Sequence, residues 1–223
     1  MNKEAPERRK YTNHIDVQLG DQTLRTERES KEKNTAKQII EAAERLFRKI
    51  GWQKTTLADI GSELNMSSSN IYRFFTMKSE INEAVCMDLL GKIEGEAERI
   101  AACKVSANQR IRELIGTLEK AHLQQFALDR NLYDLVVKSI DNKWAIARQH
   151  NERMTAILVR IIASGVASGE LSTGDPSLSA ILINTACLRY SDPRLAVEYE
   201  QAPEPTIDQM IDFCLLALSQ RPV

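Results

Sequence analysis

The sequence predicts an all-α protein in which a small three-helix unit precedes a larger helical part. From about residue 35 onward, apolar residues recur every three or four positions, which is the period of an α-helix with one buried face. The chain of 223 residues has only nine glycines and six prolines, so long stretches lack a helix-breaking residue. Runs of β-branched residues, which favour strands, are few.

Composition and charge are those of an ordinary globular protein. Hydrophobic residues make up 43% of the chain and charged residues 27%. Residues 1–85 hold 15 basic and 13 acidic side chains, whereas residues 86–223 hold 15 and 18, so the N-terminal part better suits an anionic partner. No apolar run reaches the roughly 20 residues needed to cross a bilayer. No signal peptide opens the chain either, so we expect a cytoplasmic protein without membrane contact.

The first 33 residues are polar and charged without a usable period, which predicts a flexible arm. Its basic segment ERRK, residues 7–10, either touches phosphates or a minor groove or is a solvated tail. Order is expected to begin at Asn34 or Thr35, since either residue can cap a helix. The predicted domains are the flexible arm 1–33, the three-helix unit 34–82 and the larger helical part 83–223.

The first helix of the three-helix unit carries an apolar stripe, formed by Ile39, Ala43, Leu46 and Ile50 at helical spacing. Gly51 follows this stripe and ends the helix, as glycine commonly does just past a helix C-terminus. A second helix of only about two turns is expected next. Its apolar face consists of Leu57, Ile60 and Leu64.

Capping residues and a tight turn separate the second helix from the third. Thr55 and Thr56 supply the N-cap of the second helix, and Ser67 supplies that of the third. Asn65 lies between them, and asparagine tolerates the left-handed conformation that a tight turn demands. A short helix, a tight turn and a second short helix with one buried stripe form the helix-turn-helix pattern.

The third helix begins with a row of small polar side chains, SSSN at residues 67–70. Ile71 and Phe75, four residues apart, form the buried edge, so this row faces outward. The first turn of a recognition helix enters the DNA major groove, where short side chains let its backbone approach the bases. Arg73, one turn on, reaches a guanine or a phosphate. The alternative is a serine-rich surface helix without a partner.

Residues 35–85 resemble the DNA-binding domain of the tetracycline-repressor (TetR) family of bacterial regulators. The resemblance lies in the order and spacing of Ala42-Ala43, Leu46-Phe47, Gly51-Trp52, Thr55-Thr56, Ile60, Ser67, Ile71-Tyr72, Phe75, Lys78 and Ile81. Two positions depart from the family pattern. Gly61 stands where the family usually has alanine, and Asn65 stands where it usually has glycine.

The resemblance implies a double-stranded DNA operator as partner and assigns a role to each matching residue. Thr56, Tyr72 and Lys78 would contact phosphates. The residues that would face bases are Ser68, Ser69, Asn70, Arg73 and Phe74. The full set of predicted DNA-binding residues adds the caps to these: Thr55, Thr56, Ser67, Ser68, Ser69, Asn70, Tyr72, Arg73, Phe74 and Lys78.

The larger part reads as helical to its end, and the resemblance implies that it binds an effector and forms a dimer. Segments 175–190 and 205–220 would be the dimer-forming helices. The second is apolar over most of its circumference, so it is either wholly internal or shared with a second copy. We expect a homodimer through these last two helices, with recognition helices about 34–36 Å apart, or a multiple of that, on a pseudopalindromic operator.

The middle helices would enclose a pocket for a small organic effector, as the resemblance implies. No cluster of opposed charges stands out in this part, so a mainly apolar effector is expected. The candidate lining residues are Leu89, Ile93, His122, Phe126, Tyr133 and Trp144. The alternative for each of them is a core residue whose polar tip is satisfied.

No catalytic site, cofactor or metal is predicted. The sequence has no glycine-rich phosphate loop, no GxSxG and no HExxH, and its three histidines lie far apart. The four cysteines follow no metal-ligand spacing, and each is either a core residue or a redox sensor. Together with the family resemblance, the sequence predicts a ligand-responsive, DNA-binding transcriptional repressor. The alternatives are a helical protein-interaction module and a DNA-binding regulator without a small-molecule effector.

Overall fold

A computed structural model describes the backbone of residues 8–192, 194–195 and 204–219, and the side chains of these residues except 8–24 and 122–128. Within these ranges we number ten α-helices, residues 194–195 are also helical, and no strand is present, which confirms the all-α prediction. The helices are α1 (Arg8–Ile50), α2 (Leu57–Glu63), α3 (Ser68–Tyr72), α4 (Lys78–Ala102), α5 (Ala107–Leu128), α6 (Arg130–Asp141), α7 (Ala145–Ala167), α8 (Pro176–Ala186), α9 (Leu188–Ser191) and α10 (Ile207–Ser219).

The N-terminal helices enclose one apolar core. Phe47 of α1 is its largest fully buried side chain, and burying a side chain of this size stabilises the fold by roughly 1.5–3 kcal/mol. The core residues from α1 to α4 without any exposed surface are Ile39, Ala42, Ala43, Phe47, Ile60, Ile71, Ile81, Val85 and Cys86. Leu132 and Leu135 of α6 belong to the same cluster, so the N-terminal unit is anchored to the rest of the molecule.

A second apolar core lies within the C-terminal helices, with α7 at its centre. Ala97 and Ile100 of α4 join it, so α4 begins in the N-terminal core and ends in the C-terminal one. The boundary predicted at residue 82 falls inside this continuous helix, and the division there stays a prediction. The other large members of the core are Ile111, Leu114, Ile115, Met154, Ile157, Leu158, Ile161, Ile162, Leu171, Ile183, Ile211 and Leu218.

Helix α1 begins far earlier than we expected. We predicted order from Asn34 or Thr35, whereas the helix runs without a break from Arg8. Residues 25–34 are all exposed, so this part of the helix has no apolar stripe from which it could be predicted. A search for apolar periodicity therefore misses it. Whether the segment moves as an arm stays a prediction.

Charged pairs along the exposed part of α1 supply a different helical signal. Arg25 Nε lies 3.2 Å from Glu29 Oε1, and Arg28 Nε lies 3.2 Å from Glu32 Oε1. Opposite charges four residues apart stabilise a helix by about 0.2–0.5 kcal/mol per pair. The side chains of Arg8, Arg9 and Lys10, in the segment predicted to be either a contact to phosphates or a minor groove or a solvated tail, lie outside the described residues.

The predicted C-terminal helix pair is present with one interruption. The Asp175 carboxylate accepts the Ser177 N–H at 2.8 Å and caps α8, while Pro176 occupies the first turn. We expected one helix over 175–190, but α8 ends at Ala186 and α9 begins at Leu188. A turn at Cys187 separates the two helices.

Candidate nucleic-acid interface and cavity

Helix α2 is held at its start by a capping box between Thr56 and Asp59. The Asp59 N–H donates to Thr56 Oγ1 at 3.2 Å, and the Thr56 N–H donates to Asp59 Oδ2 at 2.8 Å. Hydrogen bonds from the Thr56 hydroxyl and backbone hold the pKa of Asp59 below its ordinary value. Thr56 remains exposed, as its predicted role requires.

The turn between α2 and α3 depends on the two residues that depart from the family pattern. Asn65 has a φ of 53°, the left-handed conformation predicted for it. The Met66 N–H donates to the carbonyl of Gly61 at 2.8 Å. A Cβ on Gly61 would lie 2.6 Å from the Met66 carbonyl oxygen, closer than real Cβ atoms approach. The turn therefore lies against α2 at a distance that only glycine permits.

Helix α3 has one buried anchor and an otherwise open surface. Ile71 is fully buried, whereas Tyr72 has 53% of its surface exposed and Arg73 is exposed beside it. Ser67 caps the helix by accepting the Asn70 N–H at 3.3 Å. Ser69 is exposed, and Ser68 and Asn70 are half-buried. The polar row thus reaches the surface, in the orientation that the sequence predicted.

Two residues of the predicted DNA-binding set lie elsewhere. Thr55 has only 1% of its surface exposed, and its hydroxyl donates to the carbonyl of Gly51 at 2.9 Å. The side chain of Thr55 therefore closes the turn after α1, and its assignment as a DNA contact is wrong for this conformation. Phe74, assigned to bases, is half-buried and packs against the N-terminal core together with Phe75.

Lys78 begins α4 and is half-buried, with its Nζ donating to the carbonyl of Gln53 at 3.0 Å. Burial lowers its pKa, and the nearby Asp59 carboxylate opposes that shift. A cation in the first turn opposes the helix dipole, so Lys78 gains nothing from the helix itself. A phosphate placed here would be stabilised by Lys78 and by the free N–H groups of the helix end.

A second cap fixes the junction between α3 and α4. The Glu80 carboxylate accepts the Thr76 N–H at 2.6 Å and the Thr76 hydroxyl at 2.7 Å. These bonds hold the pKa of Glu80 below its ordinary value. Thr76 and Glu80 lie two residues before and two residues after Lys78, so their hydrogen bonds fix the position of Lys78 relative to α3.

Both halves of the chain match descriptions of one family. Residues 39–85 match "Bacterial regulatory proteins, tetR family", and residues 107–211 match "Tetracyclin repressor-like, C-terminal domain". The chain belongs to the TetR family of transcriptional regulators. The family resemblance of residues 35–85 is thus confirmed.

Individual relatives agree with this membership. The probable HTH-type transcriptional regulator ArpR of Pseudomonas putida is 36% identical over 102 residues, which are 46% of this chain and 45% of that protein. The aligned stretch thus spans about half the length of this curated relative.

Two solved structures share the fold. A TetR/AcrR-family regulator from Thermobifida fusca has a TM-score of 0.58 at 23% identity, with 84% of this chain and 97% of that chain covered. FadR from Bacillus subtilis, in complex with stearoyl-CoA, has a TM-score of 0.54 at 19% identity, with 83% and 98% covered. At these identities both show the fold alone.

This TetR-family chain exposes an apolar face on its C-terminal helix pair. On α8, Leu178, Ile181 and Leu182 have 52%, 54% and 60% of their surface exposed. On α10, Phe213 and Leu216 have 66% and 59% exposed. The opposite face of α10 is buried through Ile211, Cys214 and Leu218. An apolar face of this kind is typical of an interaction surface.

A cavity of about 410 Å³ lies between α4, α5, α6, α7, α8 and α9. Its size falls within the range of about 300–1,000 Å³ that is usual for small-molecule sites. Apolar residues from several of these helices form much of its wall: Leu90, Leu118, Val136, Ile140, Met154 and Leu188. Polar side chains also line it, namely Ser139, His150, Asn151, Thr155, Asn184, Thr185, Ser191, Asp192 and Arg194.

Our predicted lining residues largely miss this cavity. Leu89, Ile93 and Tyr133 are buried, with 5%, 8% and 5% of their surface exposed, and do not line it. Trp144 lines an adjoining outer groove of about 710 Å³. The side chains of His122 and Phe126 lie outside the described residues. Leu89, Ile93 and Tyr133 are therefore better described by the alternative, in which they are core residues.

The sequence interpretation overlooked His150, which is buried in the cavity wall with 8% of its surface exposed. Its Nδ1 lies 2.8 Å from Glu94 Oε1 on α4. Arg153 donates to both oxygens of the same carboxylate, at 2.7 and 2.9 Å. Its position between Ala147 and Met154 on the apolar stripe of α7 is the signal that could have found it.

The pKa shifts of this cluster agree with its geometry. Burial lowers the pKa of His150, and the Glu94 carboxylate only partly opposes this. Burial raises the pKa of Glu94, but the hydrogen bonds from Arg153 and His150 outweigh it and the net pKa is lowered. A neutral imidazole therefore faces an ionised carboxylate.

Other kinds of site are not seen in the described part of the chain. No group of three or more His, Cys, Asp or Glu side chains there is arranged to hold a metal ion. None of the helices described is both long and apolar enough to cross a membrane. The four cysteines are free, and burial raises the pKa of Cys187 to about 12.

Proposed function

We propose that the protein is a cytoplasmic, homodimeric repressor that binds a pseudopalindromic DNA operator and releases it when a small organic effector binds. The observation that carries this proposal is the open face of α3. Ile71 alone anchors the helix, and the polar row 67–70 with Tyr72 and Arg73 is left at the surface.

The DNA interface we propose divides by chemistry. Ser68, Ser69 and Asn70 are short enough to let the backbone of α3 approach base edges, and the exposed Arg73 reaches a guanine or a phosphate. Thr56, Ser67, Tyr72 and Lys78 would hold the DNA backbone. Contacts of this second kind fix the register of the helix in the groove and carry no sequence information directly.

The dimer we propose forms through α8 and α10. Five large apolar side chains on these two helices have about half or more of their surface exposed, and burying them against a second copy would remove that surface from water. A two-fold interface of this kind presents two copies of α3 on one side of the dimer. Half-sites about 34–36 Å apart, or a multiple of that, would then match the operator.

The cavity between α4 and α9 is the proposed effector site. The B. subtilis FadR structure holds stearoyl-CoA, and the C-terminal helices of this chain enclose a cavity of suitable size for a smaller organic molecule. Helix α4 runs from the DNA-binding unit into this region. An effector weakens DNA binding only if it prefers the conformation that does not fit the operator, since equal affinity for both conformations shifts nothing.

Selection of bound duplexes from a random pool tests this proposal. We expect enrichment of a sequence with two inverted half-sites, bound by two copies of the chain. The centre-to-centre spacing of the half-sites should be one helical turn or a multiple of it. A pool without any enriched sequence would overturn the proposal in favour of a protein-interaction module.

A further inference from the structure

We propose that the cavity recognises a neutral organic molecule bearing a hydroxyl hydrogen-bond donor, a phenol or an alcohol, which donates to Nε2 of His150. The inference rests on the proposed role of the cavity as the effector site. It adds the chemical class of the effector to that role.

The protonation of His150 follows from its partner. A carboxylate that already binds a guanidinium through both oxygens is ionised and can only accept hydrogen bonds. Nδ1, 2.8 Å from Glu94 Oε1, must therefore carry the hydrogen. Burial lowers the pKa of His150, so the ring is neutral and Nε2 presents a bare lone pair.

Nε2 has no partner among the described residues, and His150, with 8% of its surface exposed, lines the cavity. Once a ligand fills the cavity and excludes water, leaving this acceptor without a hydrogen bond costs about 1–3 kcal/mol. A ligand that brings a donor avoids that cost, whereas a ligand that brings only acceptors or carbon atoms incurs it.

The neighbouring polar groups favour the same ligand chemistry. The Thr155 hydroxyl donates to the Asn151 carbonyl at 2.8 Å and accepts from Asn184 Nδ2 at 3.0 Å. The Thr155 donor and one of the two Asn184 N–H donors are thus directed at protein atoms, and the amide oxygen of Asn184 keeps its acceptor capacity. A second hydrogen-bond donor on the ligand would find its acceptor in the amide oxygen of Asn184.

Anionic ligands are disfavoured by the pairing of Arg194 in the cavity wall. Arg194 Nε donates to Asp192 Oδ1 at 2.9 Å, and its NH1 lies 3.6 Å from Asp141 Oδ1. The guanidinium is thus shared between two carboxylates, and an anionic ligand would have to compete with both. Apolar side chains form the rest of the wall. A neutral molecule with an apolar body and a hydroxyl fits these surroundings.

Calorimetric titration of the full chain with 2-naphthol and with its methyl ether, 2-methoxynaphthalene, tests the inference. The two probes are neutral at pH 7.5 and share one apolar body, but only the naphthol carries a donor. We expect the naphthol to bind about tenfold more tightly or better. In His150→Phe, which keeps a ring and lacks the acceptor, the ratio of the two affinities should fall to about one.

Ser191→Ala serves as the matched control. It removes a hydroxyl from the same cavity wall, but that hydroxyl already donates to the Cys187 carbonyl at 3.3 Å, so the preference should stay. Thermal melting shows whether each variant is folded. His150→Leu is a second acceptor-free variant, and the wild-type ratio decides alone if neither folds.

Equal binding of the two probes to the wild type, binding of neither, or a preference that survives His150→Phe would overturn the inference. Binding of the wild type to selected duplexes is measured in parallel. A chain that binds operator without preferring the naphthol refutes the inference and leaves the proposed function standing, and the reverse result refutes the proposed function.

Discussion

Gly61 and Asn65 meet two separate demands of the turn between α2 and α3. The left-handed conformation of the turn falls on Asn65, with a φ of 53°. The close approach falls on Gly61, whose missing Cβ leaves room for the Met66 carbonyl. Each departure from the family pattern has its own physical reason, because φ above zero and lack of space are separate demands on a residue.

Gly61→Ala should destabilise the protein by about 1–3 kcal/mol, since the new Cβ forces the turn away from α2. Gly91→Ala is the matched control. Gly91 lies exposed inside α4, and no atom lies within 4 Å of the position that a new methyl group would take, so alanine there should stabilise by roughly 0.5–1 kcal/mol. Denaturant unfolding of both variants measures these changes. A Gly61→Ala variant as stable as the wild type would contradict the close approach.

Local patterns predicted the residues that shape the backbone. The Thr56 and Ser67 caps, the left-handed Asn65 and the helix-ending Gly51, with a φ of 90°, all follow from chemistry within a few residues. The buried orientation of the Thr55 side chain does not follow from such local patterns, since either of two adjacent threonines can serve as a cap. The partner of His150 lies 56 positions away on α4, and no local pattern contains that distance.

At the scale of elements, hydrogen-bonded polar and charged side chains beside the cavity connect α4 to α7. Glu94 of α4 receives hydrogen bonds from His150 and Arg153 of α7. Helix periodicity predicted both helices, but their pairing depends on the tertiary packing of two apolar stripes. This pairing decides which residues line the cavity, and the sequence does not contain it. None of the four candidate lining residues whose side chains are described lies in the cavity wall.

The stability of the protein should fall on acidification below about pH 6.5, partly through His150. Its folded-state pKa is depressed by burial, so the unfolded chain takes up a proton that the folded chain resists. The stability from neutral His150 is fully present above the unfolded pKa of about 6.5. It is lost as the pH falls through the folded-state pKa.

Thermal melting from pH 7.5 to pH 5 should therefore show a declining midpoint that flattens in His150→Phe. The other two histidines are the same in both proteins, so their contribution cancels in the comparison. An identical decline in the two proteins would contradict the buried, neutral state of His150.

At the scale of the whole molecule, α8 and α10 expose large apolar side chains on the surface of the single chain. The apolar pattern of the last helix predicted that it is either internal or shared. The structure shows one side buried and the other exposed, with Phe213 at 66%. The sequence could not show which side faces outward, because almost every side of this helix is apolar.

The double variant Leu182→Glu and Phe213→Glu should be monomeric, because two carboxylates would have to be buried in the proposed interface. Met87→Glu is the matched control, since Met87 is 54% exposed on α4 and belongs to neither helix of the pair. Sedimentation velocity distinguishes the two states. A dimer that survives the double substitution would place the interface elsewhere.

Binding curves on selected and scrambled duplexes over a range of salt test most directly that the open face of α3 reads DNA. Tyr72→Ala and Lys78→Ala should weaken binding to both duplexes by similar factors and flatten the salt dependence. Arg73→Ala should lose about 1–3 kcal/mol of preference at one base pair if it reads guanine, while the exposed Lys104→Ala in the loop after α4 should change nothing. A wild type that binds both duplexes equally, with none of the three variants differing from it, would contradict the claim.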